Sequence, residues 1–192
     1  MVNIEFLIEN LSYEKPSEFL RSNSEKIFQI IPELFNCKNF NKNNPWHVYD
    51  VFEHILHVVD GVPNNKILRI AALFHDVGKP FVYIEDQNGI GHFYDHWNKS
   101  KEIFDNFAKK CNLEESEKEL ISNLILYHDI NIDKLSDEEV YELSNIFNIT
   151  GIIMLFQLKR SDLLAQNQEF HYILKNYDMQ EKFILKKMYN KR

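Results

Sequence analysis

The chain is 192 residues long, with 44% hydrophobic and 27% charged residues, an ordinary globular composition that argues against disorder. Its formal net charge of −7 supplies no evident basic face for the backbone of a long duplex, which excludes long nucleic acid as an expected partner but leaves a small nucleotide or an RNA end open. Only five Gly and five Pro are present, so turns are few and long helices are favoured.

No apolar run approaches the roughly 20 residues that span a bilayer, so no membrane is expected. The N-terminus lacks the basic-then-apolar pattern of a signal peptide. Cys37 and Cys111 have no metal-type spacing and read as free thiols of a cytoplasmic protein. Oligomeric state is not readable from the sequence.

Residues 1–44 read as a small N-terminal helical extension packed on a core, and 45–192 as the main domain with its C-terminal helices. Phe6, Leu7 and Leu11 form one short amphipathic face. Pro16 suits the first position of a second helix, followed by apolar positions from Phe19 to Leu34. The Asn-rich stretch CKNFNKNNPW at 36–45 is a loop.

A helix is expected from about His47 to Asp60, with Val51, Phe52, Ile55, Leu56, Val58 and Val59 as its apolar stripe. His54 lies at the edge of that stripe, where Asp50 and His57 can neighbour it. His57 reads as a hydrogen-bonded core histidine, His47 as a cap or surface residue, and the distant His171 as structural. Gly61 and Pro63 end the helix.

Residues 65–76 are apolar almost all round, hence a buried helix, with His75 and Asp76 at its end and Gly78 as terminator. Residues 81–95 read as a loop or a small flap, with a DQNG turn and short β structure expected from Phe81 to Ile84. Asp95 is positioned to cap a helix running to about Lys110. In a helix over about 114–128, Ile121, Leu124, Ile125 and His128 share one face. Ser136 and Glu139 make a capping-box pattern for another. Asp162 lies on the small, apolar face of a strongly apolar helix over 150–166. The remainder is helical, with Phe170, Ile173, Leu174, Tyr177, Phe183 and Ile184 as packing positions.

Imidazole and carboxylate on apolar helices are costly unless they are paired or bind a metal. Four groups recur on inner faces of different helices: His54, His75–Asp76, His128 and Asp162. Imidazole nitrogen with carboxylate oxygen suits a borderline divalent cation, Mn, Fe, Ni, Co, Mg or Zn, whose identity the residues leave open. Such an ion makes water nucleophilic near neutral pH and polarises a phosphoryl oxygen, so hydrolysis of a phosphate ester is the expected reaction class.

The order His54, His75–Asp76, Asp162 resembles the H…HD…D signature of the HD superfamily of metal-dependent phosphohydrolases. HDVGKP at 75–80 is similar to the HDxGKP form of that motif, and the likeness covers about residues 46–165. It implies an all-α helical bundle of the HD-domain type, with His54, His75, Asp76 and Asp162 as metal ligands. It also implies that His96 and His128 help bind a second metal or the phosphate, and that Lys79 sits near the substrate's negative charge. Asp76 would orient water or accept its proton. A narrower likeness, through IIPEL at 30–34, HVYDVFEHIL, HDVGKP and FYDH, is to the HD portion of bacterial tRNA nucleotidyltransferases and poly(A) polymerases. The strand-rich head of those enzymes is not seen, so the chain reads as a stand-alone HD domain without CCA addition. Relatives often carry Gly just before the histidine equivalent to His96; here it is Asp95, which bears on the aim of that histidine and leaves His92 as the alternative. The implied function is a phosphomonoesterase or phosphodiesterase acting on a small phosphorylated substrate, a nucleotide or an RNA end. Competing classes are a non-catalytic nucleotide-sensing HD module and a plain helical interaction domain.

Overall fold

Three side-chain caps open the helices at the centre of the molecule. Asp50 accepts from the amide of Glu53 at 2.7 Å and starts α5 (Val51–Gly61). Asn65 accepts from Ile67 and Leu68 at 2.9 and 3.2 Å and starts α6 (Lys66–Phe74). Asn148 accepts from Gly151 at 2.8 Å and starts α10 (Ile149–Leu164). Each satisfies amides that a helix start otherwise leaves unpaired.

The computed structural model describes residues 3–40, 44–46, 48–131 and 136–190, and His47 lies outside them. It is an all-α bundle. The first helices are α1 (Ile4–Asn10), α2 (Pro16–Ser22), α3 (Ser24–Ile30) and α4 (Glu33–Cys37). After α6 comes a two-stranded antiparallel flap, β1 (Ile84–Glu85) with β2 (Gly91–His92), in the register Ile84 to His92. Then follow α7 (His96–Ala108), α8 (Glu115–Tyr127), α9 (Asp137–Ile146), α10 and α11 (Leu174–Tyr189). The expected capping box of α9 is formed: Glu139 accepts from the Ser136 amide at 2.6 Å and Ser136 from the Glu139 amide at 3.2 Å.

The core runs from Leu7 and Leu11 through Ile55, Leu73 and Phe74 to Phe104, Ile125, Leu155 and Leu158. α5 and α6 lie against each other, α10 crosses α5, and α8 covers α6 and α7. The α5–α10 crossing is close: Ser161 Oγ donates to the Val58 carbonyl at 2.9 Å, and a Cβ on Gly61 would stand 2.2 Å from Ser161 Oγ. This crossing sets His54 of α5 beside Asp162 of α10.

Several local expectations are corrected. α5 begins at Val51 instead of His47. Asp50 is committed to its cap and to the Asn39 amide at 2.9 Å, which withdraws it from His54. His57 is an exposed residue stacked on Tyr49 at 4.3 Å, not a core histidine. Lys79–Phe81 is a 3-10 turn, so pairing starts only at Ile84. Asp95 makes no side-chain cap to α7; it stands in the left-handed region at φ 65°. In the C-terminal segment Ile184 is buried, but Phe183 is 49% exposed and the other expected packing positions are half-buried. A helix on the outside of an already closed bundle has one side to bury.

Candidate metal centre

Turns of backbone at the helix ends aim the histidines. His75 Nδ1 lies 2.8 Å from the Ala72 carbonyl, His96 Nδ1 2.9 Å from Phe93, and His128 Nδ1 2.7 Å from Ile125. In each case the carbonyl belongs to the residue three before. A carbonyl only accepts, so each Nδ1 must carry the proton and donate. Whenever the ring is neutral, it therefore turns an Nε2 lone pair inward. His54 is held the same way, with a longer 3.5 Å contact from Nδ1 to the Ala165 carbonyl.

The inward nitrogens converge. His54 Nε2 is 3.3 Å from His75 Nε2, 3.2 Å from Asp76 Oδ2 and 3.0 Å from Asp162 Oδ1. His75 Nε2 is 3.3 Å from the same Asp76 oxygen and 3.8 Å from Asp162 Oδ1. On the other side of the carboxylate, Asp76 Oδ1 faces His96 Nε2 at 3.2 Å and His128 Nε2 at 3.6 Å, and those two nitrogens are 3.2 Å apart. Two groups of ligand atoms result, His54–His75–Asp76–Asp162 and Asp76–His96–His128, each within 4.8 Å and sharing Asp76.

These side chains fit a divalent ion. Ligands held about 2.1 Å from an ion stand roughly 3.0–3.4 Å from one another, and most of the pairs here fall in that range, with His75–Asp162 and His128–Asp76 longer at 3.8 and 3.6 Å. Lone pairs brought to that distance repel unless protons or a metal cation lie among them. Among the described residues, Asp76 Oδ1 has no hydrogen-bond donor although it is buried with two imidazole nitrogens nearby. All the histidines of the two groups and Asp76 are buried, and the Asp162 side chain is 14% exposed.

The electrostatics point the same way. Burial pushes His54 down, yet hydrogen bonds to Asp162 and Asp76 outweigh it and leave its pKa raised. Burial likewise opposes His75, but the Asp76 charge and contacts to Asp162 carry it up to about 10. Asp76 and Asp162 are held well below the ordinary carboxylate range, against their burial, by His75 and Lys79 in the one case and by His54 and His75 in the other. His128 is lowered by burial. A field that favours protons on two histidines and anions on two aspartates is one that attracts a divalent cation.

The residues expected at the site from sequence are therefore brought together, including His96 in spite of Asp95. Asp adopts the left-handed backbone at a cost Gly would avoid, and the turn into α7 keeps its aim. Gly78 closes that geometry: its amide donates to Ser100 Oγ at 2.9 Å, and a Cβ there would lie 2.6 Å from the Ser100 nitrogen and the His96 carbonyl. His92 does not substitute for His96; its Nε2 faces Asp86 at 3.1 Å at the rim. Lys79 Nζ pairs with Asp76 Oδ2 at 2.6 Å. His171 and His57 are in neither group.

One participant was not foreseen. Lys159, buried on α10, donates from Nζ to the carbonyls of His128 at 2.8 Å and Ile130 at 2.9 Å. It closes the end of α8 and fixes the backbone that carries His128. Its signal in sequence is an ammonium inside an apolar helix, three residues before Asp162.

The centre opens into a cavity of about 330 Å³ bordered by Lys79, His96, His128 and Asp162. A second cavity of about 400 Å³, beside His57 and Ser161, reaches Ala165 from behind but contains none of the clustered ligands. No described helix is long and apolar enough to cross a membrane. No curated protein matches the chain significantly. HD domains are generally metal-dependent hydrolases, and this chain carries His/Asp groups that could hold a metal. Residues 45–161 match the HD domain, and with the converging His and Asp side chains this places the chain in the HD domain family.

Proposed function

We propose that the protein is a metal-dependent phosphohydrolase acting on a phosphomonoester or phosphodiester of a nucleotide or RNA end. The observation that carries this reading is the Asp76 carboxylate, which turns one oxygen to His54 and His75 and the other to His96 and His128. His54, His75, Asp76 and Asp162 would hold one ion, and Asp76, His96 and His128 a second. A divalent ion bound there supplies Lewis-acid polarisation of a phosphoryl oxygen and a nucleophile drawn from water at neutral pH.

Asp76 stays ionised, so it serves as an orienting acceptor for the attacking water more than as a strong base. Lys79 stays cationic: burial opposes its charge, but Asp76 and Asp162 raise its pKa. Its ammonium lines the cavity, where it meets the charge of a bound phosphate. The likeness of residues 30–34 and 75–80 to HD portions of tRNA nucleotidyltransferases supports keeping an RNA end beside a free nucleotide. Residues 45–192 would form the catalytic unit, buttressed by 1–44. The buried thiols of Cys37 and Cys111, neither in a disulfide, support a reducing cytoplasmic setting.

The test is turnover by metal-stripped protein reloaded separately with Mn²⁺, Fe²⁺, Ni²⁺, Co²⁺, Mg²⁺ and Zn²⁺. Substrates are p-nitrophenyl phosphate, its bis ester and 2′,3′-cyclic nucleotides. Turnover with at least one ion is expected. Failure with all removes the enzyme, and nucleotide binding without turnover would leave a sensing module.

A further inference from the structure

We infer that the cavity over the metal centre is built for a nucleoside monophosphate, its base stacked on an aromatic wall and only one phosphate at the ions. The inference rests on the phosphohydrolase reading for the reacting phosphate and on the cavity wall for the remainder of the substrate.

Five aromatic side chains border the cavity: Trp46, Phe93, Tyr94, Trp97 and Tyr177. Tyr177 also packs against the core, but two of the rings stand largely outside it. Trp46 is 37% and Tyr94 63% exposed, although large apolar side chains are usually buried where a core can take them. They are also held in position. Trp46 is stacked on Phe170 at 3.6 Å, and its carbonyl accepts from the Asn167 amide at 3.0 Å. Tyr94 lies parallel to His92 at 5.2 Å, and His92 is tied to Asp86. Preset rings offer flat surface at little ordering cost, which suits a nucleobase.

Charge limits the phosphates. Among the described residues bordering the cavity Lys79 is the one ammonium, against the carboxylates of Asp129 and Asp162. Lys79 itself is shared with Asp76. One phosphate can be met by the ions and Lys79. Further phosphates would extend beside Asp129 with no described cation to receive them. At about 330 Å³ the cavity is also at the small end of ligand pockets, which run roughly from 300 to 1,000 Å³.

Both tryptophans of the chain, Trp46 and Trp97, border the cavity, so intrinsic fluorescence reports on it directly. Adenosine should quench metal-stripped protein saturably, and ribose 5-phosphate should not. With Mn²⁺-loaded protein, kcat/KM for adenosine 5′-monophosphate should exceed that for ribose 5-phosphate and for the triphosphate by about tenfold or more, the worth of one base stack. Trp46→Leu should shrink the preference over ribose 5-phosphate by a similar factor; Tyr94→Leu, at a more exposed position, gives the same reading if the first variant does not fold. Absent quenching, with equal turnover of the nucleotide and the sugar phosphate, overturns this inference and leaves the hydrolase. No turnover of either overturns the hydrolase, while quenching still decides the base site. Turnover of the triphosphate as fast as the monophosphate overturns the single-phosphate limit, and faster turnover of a phosphorylated oligonucleotide end overturns the mononucleotide assignment.

Discussion

Lys79 Nζ stands 2.6 Å from Oδ2 of Asp76, the same oxygen that faces His54 and His75. The ammonium therefore shares with any bound ion the carboxylate that joins the two ligand groups. Replacing Lys79 by Met removes the competitor and the cation that would meet a phosphate. Metal content should be unchanged or higher by elemental analysis, while kcat/KM falls about 10²-fold or more, the usual scale for losing one such electrostatic group. A fall in metal content would make Lys79 a structural support of the site.

Asp76 and His96 separate one ion from two. Asp76→Ala removes a ligand from both groups and should abolish metal content, while His75→Ala removes one from the first group only and should lower it. His96→Ala touches only the second group and should lower the stoichiometry towards one ion per chain. Protein purified without an affinity tag or chelator, measured by inductively coupled plasma mass spectrometry, decides the matter. Equal loss in all three variants would point to a single ion spanning both groups.

Acidity should act in opposite senses on metal-free and metal-loaded protein. His75, raised to about 10 from 6.5, and His54, also raised, add stability that is complete below pH 6.5 and lost as the pH climbs through about 10. Asp76 and Asp162, depressed from 3.8, add stability that is present above that value and lost as the pH falls. His128, lowered from 6.5 by burial, works against this below that value. Stripped protein should thus have its highest Tm between about pH 4 and 6.5 and soften towards pH 10. Metal binding requires neutral imidazole, so the increment in Tm on adding Mn²⁺ should grow over pH 6 to 9. A pH-independent increment would contradict the assigned ligands.

Gly78 is the point at which α7 meets the HD turn. Gly78→Ala would drive a Cβ to within 2.6 Å of two backbone atoms of α7, His96 O and Ser100 N. Backbone cannot step aside as a side-chain tip can, so a loss of about 1–3 kcal/mol in denaturant unfolding is expected. His96 should move with α7, and the second ion should be lost before the first. A neutral effect would mean that α7 shifts freely.

Lys159→Met should leave the carbonyls of His128 and Ile130 without their ammonium donor at the end of α8. The expected cost is about 1–3 kcal/mol of stability. Weaker binding of the second ion is also expected, read by metal titration. Unaltered titration would reduce Lys159 to a packing role.

Much of this was legible in the chain as a string. Periodicity placed Ile121, Leu124, Ile125 and His128 on one buried face of α8 and Asp162 on the inner side of α10, because a helix repeats every 3.6 residues whatever surrounds it. A histidine and an aspartate at the end of an apolar helix announced a polar cluster, because burying them alone is too costly. Caps such as Ser136 with Glu139 are local hydrogen bonds and are readable for the same reason. What only the tertiary structure decided was distance and competition. Asp50 could neighbour His54 by spacing, yet the Asn39 and Glu53 amides take both of its oxygens. His92 and His96 were indistinguishable until the Asp86 carboxylate claimed one and the turn at Asp95 aimed the other. Lys159 found its partners on a helix some thirty residues earlier in the chain. Sequence separation carries no information about such contacts; packing of α5, α6, α8 and α10 creates them.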